Sequence, residues 1–299
     1  MDPQSERLGT LAAFLAFLIW GLLPFYWKWL GAVPAAEILS HRIVWAVALM
    51  LIIVVAFQRR ELRTALVDAR SLVVAALAGV LVCANWFLYV WSVGAERLVE
   101  ARLGYYINPL VSVLLGIIVL REKLSRTQVV AVAFAVAGVL VLSISYGKIP
   151  WISLGLASSF GLYGLVKKIG RLNSSVSLLI ELVALTPAAL IFLTVRHASG
   201  AGSFATAGPA ITGLLIGAGV VTVAPLLLFG GAARRIPLSR VGILQYIAPS
   251  LMLLIGTVFY GEPFTTAHAV SFALIWTALA IYTTTLSRRR PAVNSPPRV

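Results

Sequence analysis

One cysteine, Cys83, two aspartates, Asp2 and Asp68, and three histidines, at 41, 197 and 268, are all this 299-residue chain has of those types. A single cysteine excludes a disulfide framework and a cysteine-rich metal site. Scattered histidines do not spell a zinc site, and two distant aspartates cannot form the pair that Mg²⁺-diphosphate chemistry uses. No G-x-x-x-x-G-K-[ST] run occurs, and no connection is long enough to house a nucleotide-binding domain. Neither cofactor nor metal is expected, nor an enzyme. Charge is scarce too, at 11% of residues.

Apolar residues fill the space. They make up 60% of the chain, and the mean hydropathy of +0.97 places it in a bilayer. The net charge of +14 does not point to nucleic acid, because the charges sit in short connections and form no basic surface. The first apolar run follows Asp2, Glu6 and Arg7 and is interrupted by Trp20-Gly21 and Pro24. It reads as a retained helix, not a cleaved signal. At roughly twenty residues per span, ten helices fit, near 8–28, 35–56, 72–92, 101–120, 126–145, 150–167, 175–195, 210–230, 239–259 and 266–286. The fold expected is an all-α integral membrane protein. The Pro-rich end, 288–299, reads as a disordered tail.

Leu103–Glu122, LGYYINPLVSVLLGIIVLRE, returns 140 residues later as ILQYIAPSLMLLIGTVFYGE, Ile243–Glu262. Tyr, Ile, Pro, Gly and Glu recur in the frame Y-I-x-P-x6-G-x5-E. Pro, Gly and Glu are poorly interchangeable in or beside a helix, so the frame carries information that shared Leu does not. The same offset pairs Trp20-Gly21 with Phe160-Gly161 and Lys28 with Lys168. The chain therefore reads as two units, 1–145 and 146–287.

Eighteen of the 24 Lys and Arg fall at the N-terminus, after every second helix and in the tail; five fall on the other side, and Arg42 lies inside a span. That bias puts both termini in the cytoplasm of an inner-membrane protein. Five spans per unit is odd, so the second unit enters the bilayer inverted. Inverted repeats are the signature of alternating-access carriers, while a duplicated bundle without transport remains the alternative.

WGLLPFYWK (20–28), EILSHRIVW (37–45), NWFLYVWSV (85–93), LGYYINPL (103–110), SFGLYGLVKK (159–168) and LQYIAP (244–249) resemble, in this order, the RarD-like branch of the EamA-type drug/metabolite transporter superfamily. The resemblance covers nearly the whole chain. It implies ten helices in two inverted five-helix repeats and a central cavity walled by helices 1, 3, 4, 6, 8 and 9, with 5 and 10 peripheral. It also implies movement of small metabolites or drugs, often outward, without nucleotide hydrolysis.

The costliest residue is Arg42, since an arginine at mid-bilayer costs roughly 2.5–3.5 kcal/mol on insertion scales. It either snorkels or pairs with Glu37, or it forms a carboxylate clamp with Glu37 as resting partner. Glu37 and His41, at i and i+4, share a face, and His41 can titrate or simply pack. Glu181 is either a protonatable coupling site, with H⁺ as the coupled ion, or a structural carboxylate; a direct bridge to Arg42 is not expected. Pro24, Pro109, Pro225 and Pro249 free the carbonyls of Trp20, Tyr105, Val221 and Gln245. Such breaks either gate a pathway or permit packing. Tyr105, Tyr106, Asn108, Gln245 and Tyr246 cluster there. With Trp20, Asn85, Trp86, Tyr89, Tyr163 and Arg42 they form the expected substrate-binding set. Gly213 and Gly217 suggest close helix approach in helix 8. The expected partners are a small amphipathic solute and the bilayer; the oligomeric state stays open. An uncoupled facilitator and a non-transporting scaffold are the other readings.

Overall fold

The computed structural model describes residues 3–95 and 97–288. The chain folds into helices α1 (Pro3–Trp29), α2 (Ala35–Phe57), α3 (Arg59–Val67), α4 (Ala69–Gly94), α5 (Leu98–Ile118) and α6 (Arg126–Tyr146). These are followed by α7 (Trp151–Ile169), α8 (Ser174–Ala198), α9 (Pro209–Arg235), α10 (Leu238–Gln245), α11 (Ile247–Tyr260) and α12 (Thr266–Arg288). Among the described residues, nine spans are long and apolar enough to cross a bilayer, with α10 and α11 counted together as Leu238–Tyr260. Outside this set are the short α3 and α7, the latter 19 residues long with Lys167 and Lys168 in its last turn. Ile52, Val73, Phe87, Ile191 and Val258 are exposed on the bundle's outside, where only hydrocarbon makes large apolar side chains inexpensive. This is an all-α membrane protein.

Local sequence sets the helix ends. A capping box joins Ser125 and Gln128 at the start of α6, and Gly147, in the left-handed conformation, ends it. Asp68 caps α4; the Ser71 hydroxyl, 2.5 Å away, and the Arg70 amide hold its carboxyl below its ordinary value. The amphipathic α3 was not foreseen, because nine residues are too few for a span. Asn173 binds its Glu61, and Gln58 just before it reaches Ser175. The predicted tail lies, beyond Arg288, outside the described residues.

An offset of 140 relates the helix bounds in the two halves. The pairs are α1 and α7, α2 and α8, α4 and α9, α5 and α10–α11, and α6 and α12. Their starts differ from this offset by at most one residue and their ends by at most two, apart from the longer N-terminal end of α1. Packing follows the same exchange. Helix α1 lies on α9 and on α10–α11, as α7 lies on α4 and α5; α2 lies on α9, as α8 lies on α4. Pairs α2–α8, α5–α10 and α6–α12 join counterparts to each other, with α6 and α12 at the periphery. One contact breaks the pattern: α7 packs on α9, whereas their counterparts α1 and α4 barely meet.

The recurring G-x5-E frame has a physical cause. After α5, the Glu122 amide donates to Gly116 O (3.0 Å); after α11, the Glu262 amide donates to Gly256 O (2.9 Å). Each carboxylate folds back over its glycine, where a Cβ would meet Oε2 at 2.7 and 2.5 Å. The Glu122 carboxylate then accepts from the Leu238 and Ser239 amides (2.6 and 2.9 Å) at the N-terminus of α10. Glu262 instead takes both terminal nitrogens of Arg102, near the start of α5 (2.5 and 2.6 Å). Glu122→Ala is expected to cost about 1–3 kcal/mol, the range for stranding charge-assisted bonds. An unchanged thermal midpoint would remove this carboxylate from the account.

Close approach falls on another repeat-related pair. A Cβ on Gly79 would lie 3.2 Å from Glu181 O, and one on Gly219 only 2.6 Å from the Trp45 carbonyl carbon. These glycines let α8 and α2 sit against α4 and α9. Of the two glycines expected to allow close approach in α9, Gly213 has nothing within 4 Å of where a Cβ would stand, whereas a Cβ on Gly217 would meet the Tyr26 hydroxyl of α1 at 2.8 Å.

Candidate functional site

Alternating direction along short connections puts the start of α1 and the ends of α2, α7 and α9 at one face, here the N-terminal face. Seven residues into α2 from the opposite face lies Arg42. Its guanidinium sits between the rings of Trp27 on α1 and Trp86 on α4, 5.0 and 4.9 Å from their centroids. Its Nε donates to Thr222 Oγ1 on α9 (3.0 Å), whose own hydroxyl donates to Ala218 O. Tyr105 and Tyr89 stand beside it, and their rings lie 6.2 Å apart. Arg42, Trp27, Trp86, Tyr89 and Tyr105 are all only part-buried though they converge inside the bundle.

The predicted pairing of Arg42 with Glu37 does not form. Glu37 points to the α8–α9 connection, accepting from the Ser203 amide (2.5 Å), the Ser203 hydroxyl and Arg196 (3.1 Å). His41 stacks on Phe204 of the same connection, centroids 5.0 Å apart, with no partner on either ring nitrogen among the described residues. Helical spacing put Glu37 and His41 together correctly, but on a face away from Arg42.

A second layer lies nearer the N-terminal face. The Phe229 ring on α9 contacts Phe17 and Trp20 of α1 and Phe160 and Tyr163 of α7, at 6.1, 5.7, 5.2 and 5.8 Å. This five-ring plug makes the α7–α9 contact that α1 and α4 lack. Trp20 and Tyr163, predicted to line a binding cavity, belong to it; Tyr163 is fully buried. Phe17 and Phe229 carried no signal in an apolar run, and Phe160 stood out only as the repeat partner of Trp20.

Below the plug, Glu181 is fully buried and accepts from Lys167 Nζ (2.6 Å), the Ser177 hydroxyl (2.5 Å) and the Tyr163 hydroxyl (3.0 Å). Lys167, read from sequence as a connection charge that orients the chain, is 4% exposed inside α7. The absence of a Glu181–Arg42 bridge agrees with the expectation from depth.

The remaining predicted residues lie elsewhere. Asn85 spends its amide on Leu156 O and Ser159 Oγ (2.9 and 3.0 Å), fastening α4 to α7. Tyr106 donates to Pro249 O (3.2 Å), and Gln245 accepts from Ser112 (3.1 Å), joining α5 to the α10–α11 break. Buried beside them, Asn108 Oδ1 and the Tyr246 hydroxyl have no partner among the described residues. The chain breaks at Tyr246, three residues before Pro249, whereas α5, α1 and α9 continue through Pro109, Pro24 and Pro225. No described side chain donates to the four carbonyls these prolines free. Tyr260 and Tyr106 instead reach the carbonyls of Pro24 and Pro249 themselves.

Residues 7–144 match the EamA-like transporter family. The protein named Uncharacterized transporter YojE in Bacillus subtilis is 46% identical, the match covering 95% of this chain and 96% of that one. Protein RarD of Salmonella typhi is 44% identical and that of Escherichia coli 42%, each over 94% of this chain and 96% of its own. A solved crystal structure with 20% identity shares the fold, with a TM-score of 0.70 over 95% of this chain and 99% of that one. The chain belongs to the EamA-like transporter family, in its RarD-like branch, and is a multi-pass membrane transporter.

Proposed function

We propose that this transporter is a secondary-active carrier of the inner membrane, built as two inverted five-helix repeats. It moves a small amphipathic solute by alternating access, with export as the expected direction. The tenth span in this reading is α7, whose polar last turn is held by Glu181. The N-terminal face is cytoplasmic, as the eighteen-to-five charge bias favours.

The observation that carries the reading is the one-sided closure. Helix bounds and packing repeat at an offset of 140, yet of the counterpart pairs α7–α9 and α1–α4 the first meets through rings, toward the N-terminal face, and the second barely meets. Between the counterparts α1 and α4 lies the Arg42 side chain, flanked by Trp27 and Trp86. Two units of similar helix layout in different arrangements are what a carrier needs, since exchanging the arrangements moves the opening to the other face. The state described here is closed to the cytoplasm.

Cysteine labelling tests this, in a Cys83→Ser background because Cys83 is exposed. Trp86→Cys is expected to react with an impermeant maleimide at least about tenfold faster in spheroplasts than in inside-out vesicles, the ratio for a minor state under 10%. Equal rates, or faster labelling from the cytoplasmic side, would overturn the assignment.

A further inference from the structure

From the Arg42 site we infer the substrate class: an organic monoanion whose carboxylate sits on Arg42 and whose flat apolar body lies against Trp86, Tyr89 and Tyr105. This rests on the reading of the protein as a carrier. A guanidinium inside a bundle needs a counter-charge or a dense set of acceptors. Arg42 has one acceptor, Thr222, and no carboxylate within ion-pair distance among the described residues. The acidic side chains on the helices around it are committed elsewhere, Glu37 to Arg196 and Ser203, Glu100 to Arg97 and Tyr146, and Glu181 to Lys167.

Two indole faces offset part of the desolvation cost, but they supply no negative charge. With no counter-charge among the described residues, a ligand that brings its own anion answers this guanidinium. Geometry agrees. Thr222 holds the Nε edge of the fork, while the two terminal nitrogens have no acceptor among the described residues and stay accessible. That edge presents two parallel N–H groups that a carboxylate can engage bidentately. The Tyr89 and Tyr105 hydroxyls are likewise without a hydrogen-bond partner among the described residues and not sealed off. A lone positive charge ringed by aromatics repels an amine.

The test uses three probes of one shape, 3-phenylpropanoate, 3-phenylpropanamide and 3-phenylpropylamine, titrated calorimetrically into the protein in nanodiscs. The carboxylate is expected to bind at least about tenfold more tightly than the amide or the amine, as befits a charge-assisted bidentate pair. Arg42→Gln should remove that preference and leave amide binding within about threefold of the parent, with folding checked by melting. Arg42→Lys keeps the charge without the fork, so it should still favour carboxylate over amine, more weakly. Should Arg42→Gln not fold, the probe series and the lysine variant decide.

Amine or amide binding as tight as the carboxylate overturns the proposal. So does undiminished carboxylate binding to folded Arg42→Gln, or no carboxylate binding at about 10 mM, above the millimolar range of weak ligands. Counterflow in proteoliposomes reads the carrier function separately. Carboxylate binding without counterflow would sink the carrier and keep the anion site; counterflow of the amine but not the carboxylate would do the reverse.

Discussion

Glu181→Leu alone is expected to destabilise the protein by about 3–5 kcal/mol, and the double replacement Lys167→Met with Glu181→Leu to restore most of that loss. The pair is 2.6 Å apart with side chains 3% and 0% exposed, so removing the carboxylate strands an ammonium in an apolar layer. Ser177 and Tyr163 then lose their acceptor as well. Replacing both partners by apolar groups of similar size removes the charge along with its counter-charge. Melting of the single and double variants in nanodiscs decides it. A double variant as unstable as the single one would show that the two charges do not compensate each other. The same site tests proton coupling. Glu181→Gln keeps the shape and removes the charge. If it abolishes uphill uptake while counterflow persists, Glu181 carries the coupled proton. If both fall together with the melting temperature, its role is to hold α7 on α8.

The helix layout was legible because bilayer spans and their caps are local, so bounds such as 126–145 fell close to α6. The frame around Tyr106 and Tyr246 showed the duplication because Gly116, Gly256, Glu122 and Glu262 answer to one local geometry. Sequence could not say which copy would break. Pro109 and Pro249 occupy the same frame, yet the chain interrupts its helix only at Tyr246, where neighbours from the other half decide. Arg42 stood out because an intramembrane guanidinium is costly. Its partners did not, since Thr222 lies 180 residues away and Trp27 sits in a run with three other aromatic residues. Glu37 was the nearest acid in sequence, but helical rotation turns it to the α8–α9 connection. Lys167 was misplaced for a related reason: counting charges treats a Lys-Lys pair as a connection, whereas the buried carboxylate of Glu181, seven residues into the next helix, draws one of them inside.

Phe229→Ala is expected to have the other large effect, on stability and on access at once. Phe229 meets four rings, and at about 0.5–1.5 kcal/mol per aromatic pair the loss amounts to about 2–6 kcal/mol. Simple transfer from water contributes little inside a bilayer, so the packing term dominates. The residue 140 positions earlier is Tyr89, in the corresponding helix α4, and it faces the Arg42 site with its hydroxyl unbound. One position in the fold thus plugs the pathway in one half and lines it in the other. Deleting the plug should weaken cytoplasmic closure and leave the Arg42 site intact. In the Trp86→Cys labelling background, Phe229→Ala should raise maleimide reaction in inside-out vesicles by about tenfold or more, as about 1.4 kcal/mol of lost closure suffices. The rate from the outer side should not rise. Leu182→Ala, on α8 and buried but outside the ring cluster, serves as the control for destabilisation alone. If both variants raise cytoplasmic labelling equally, general loosening explains the result and the rings are not the closure. If only Phe229→Ala does, the asymmetry between α7–α9 and α1–α4 is the difference between a closed face and an open one.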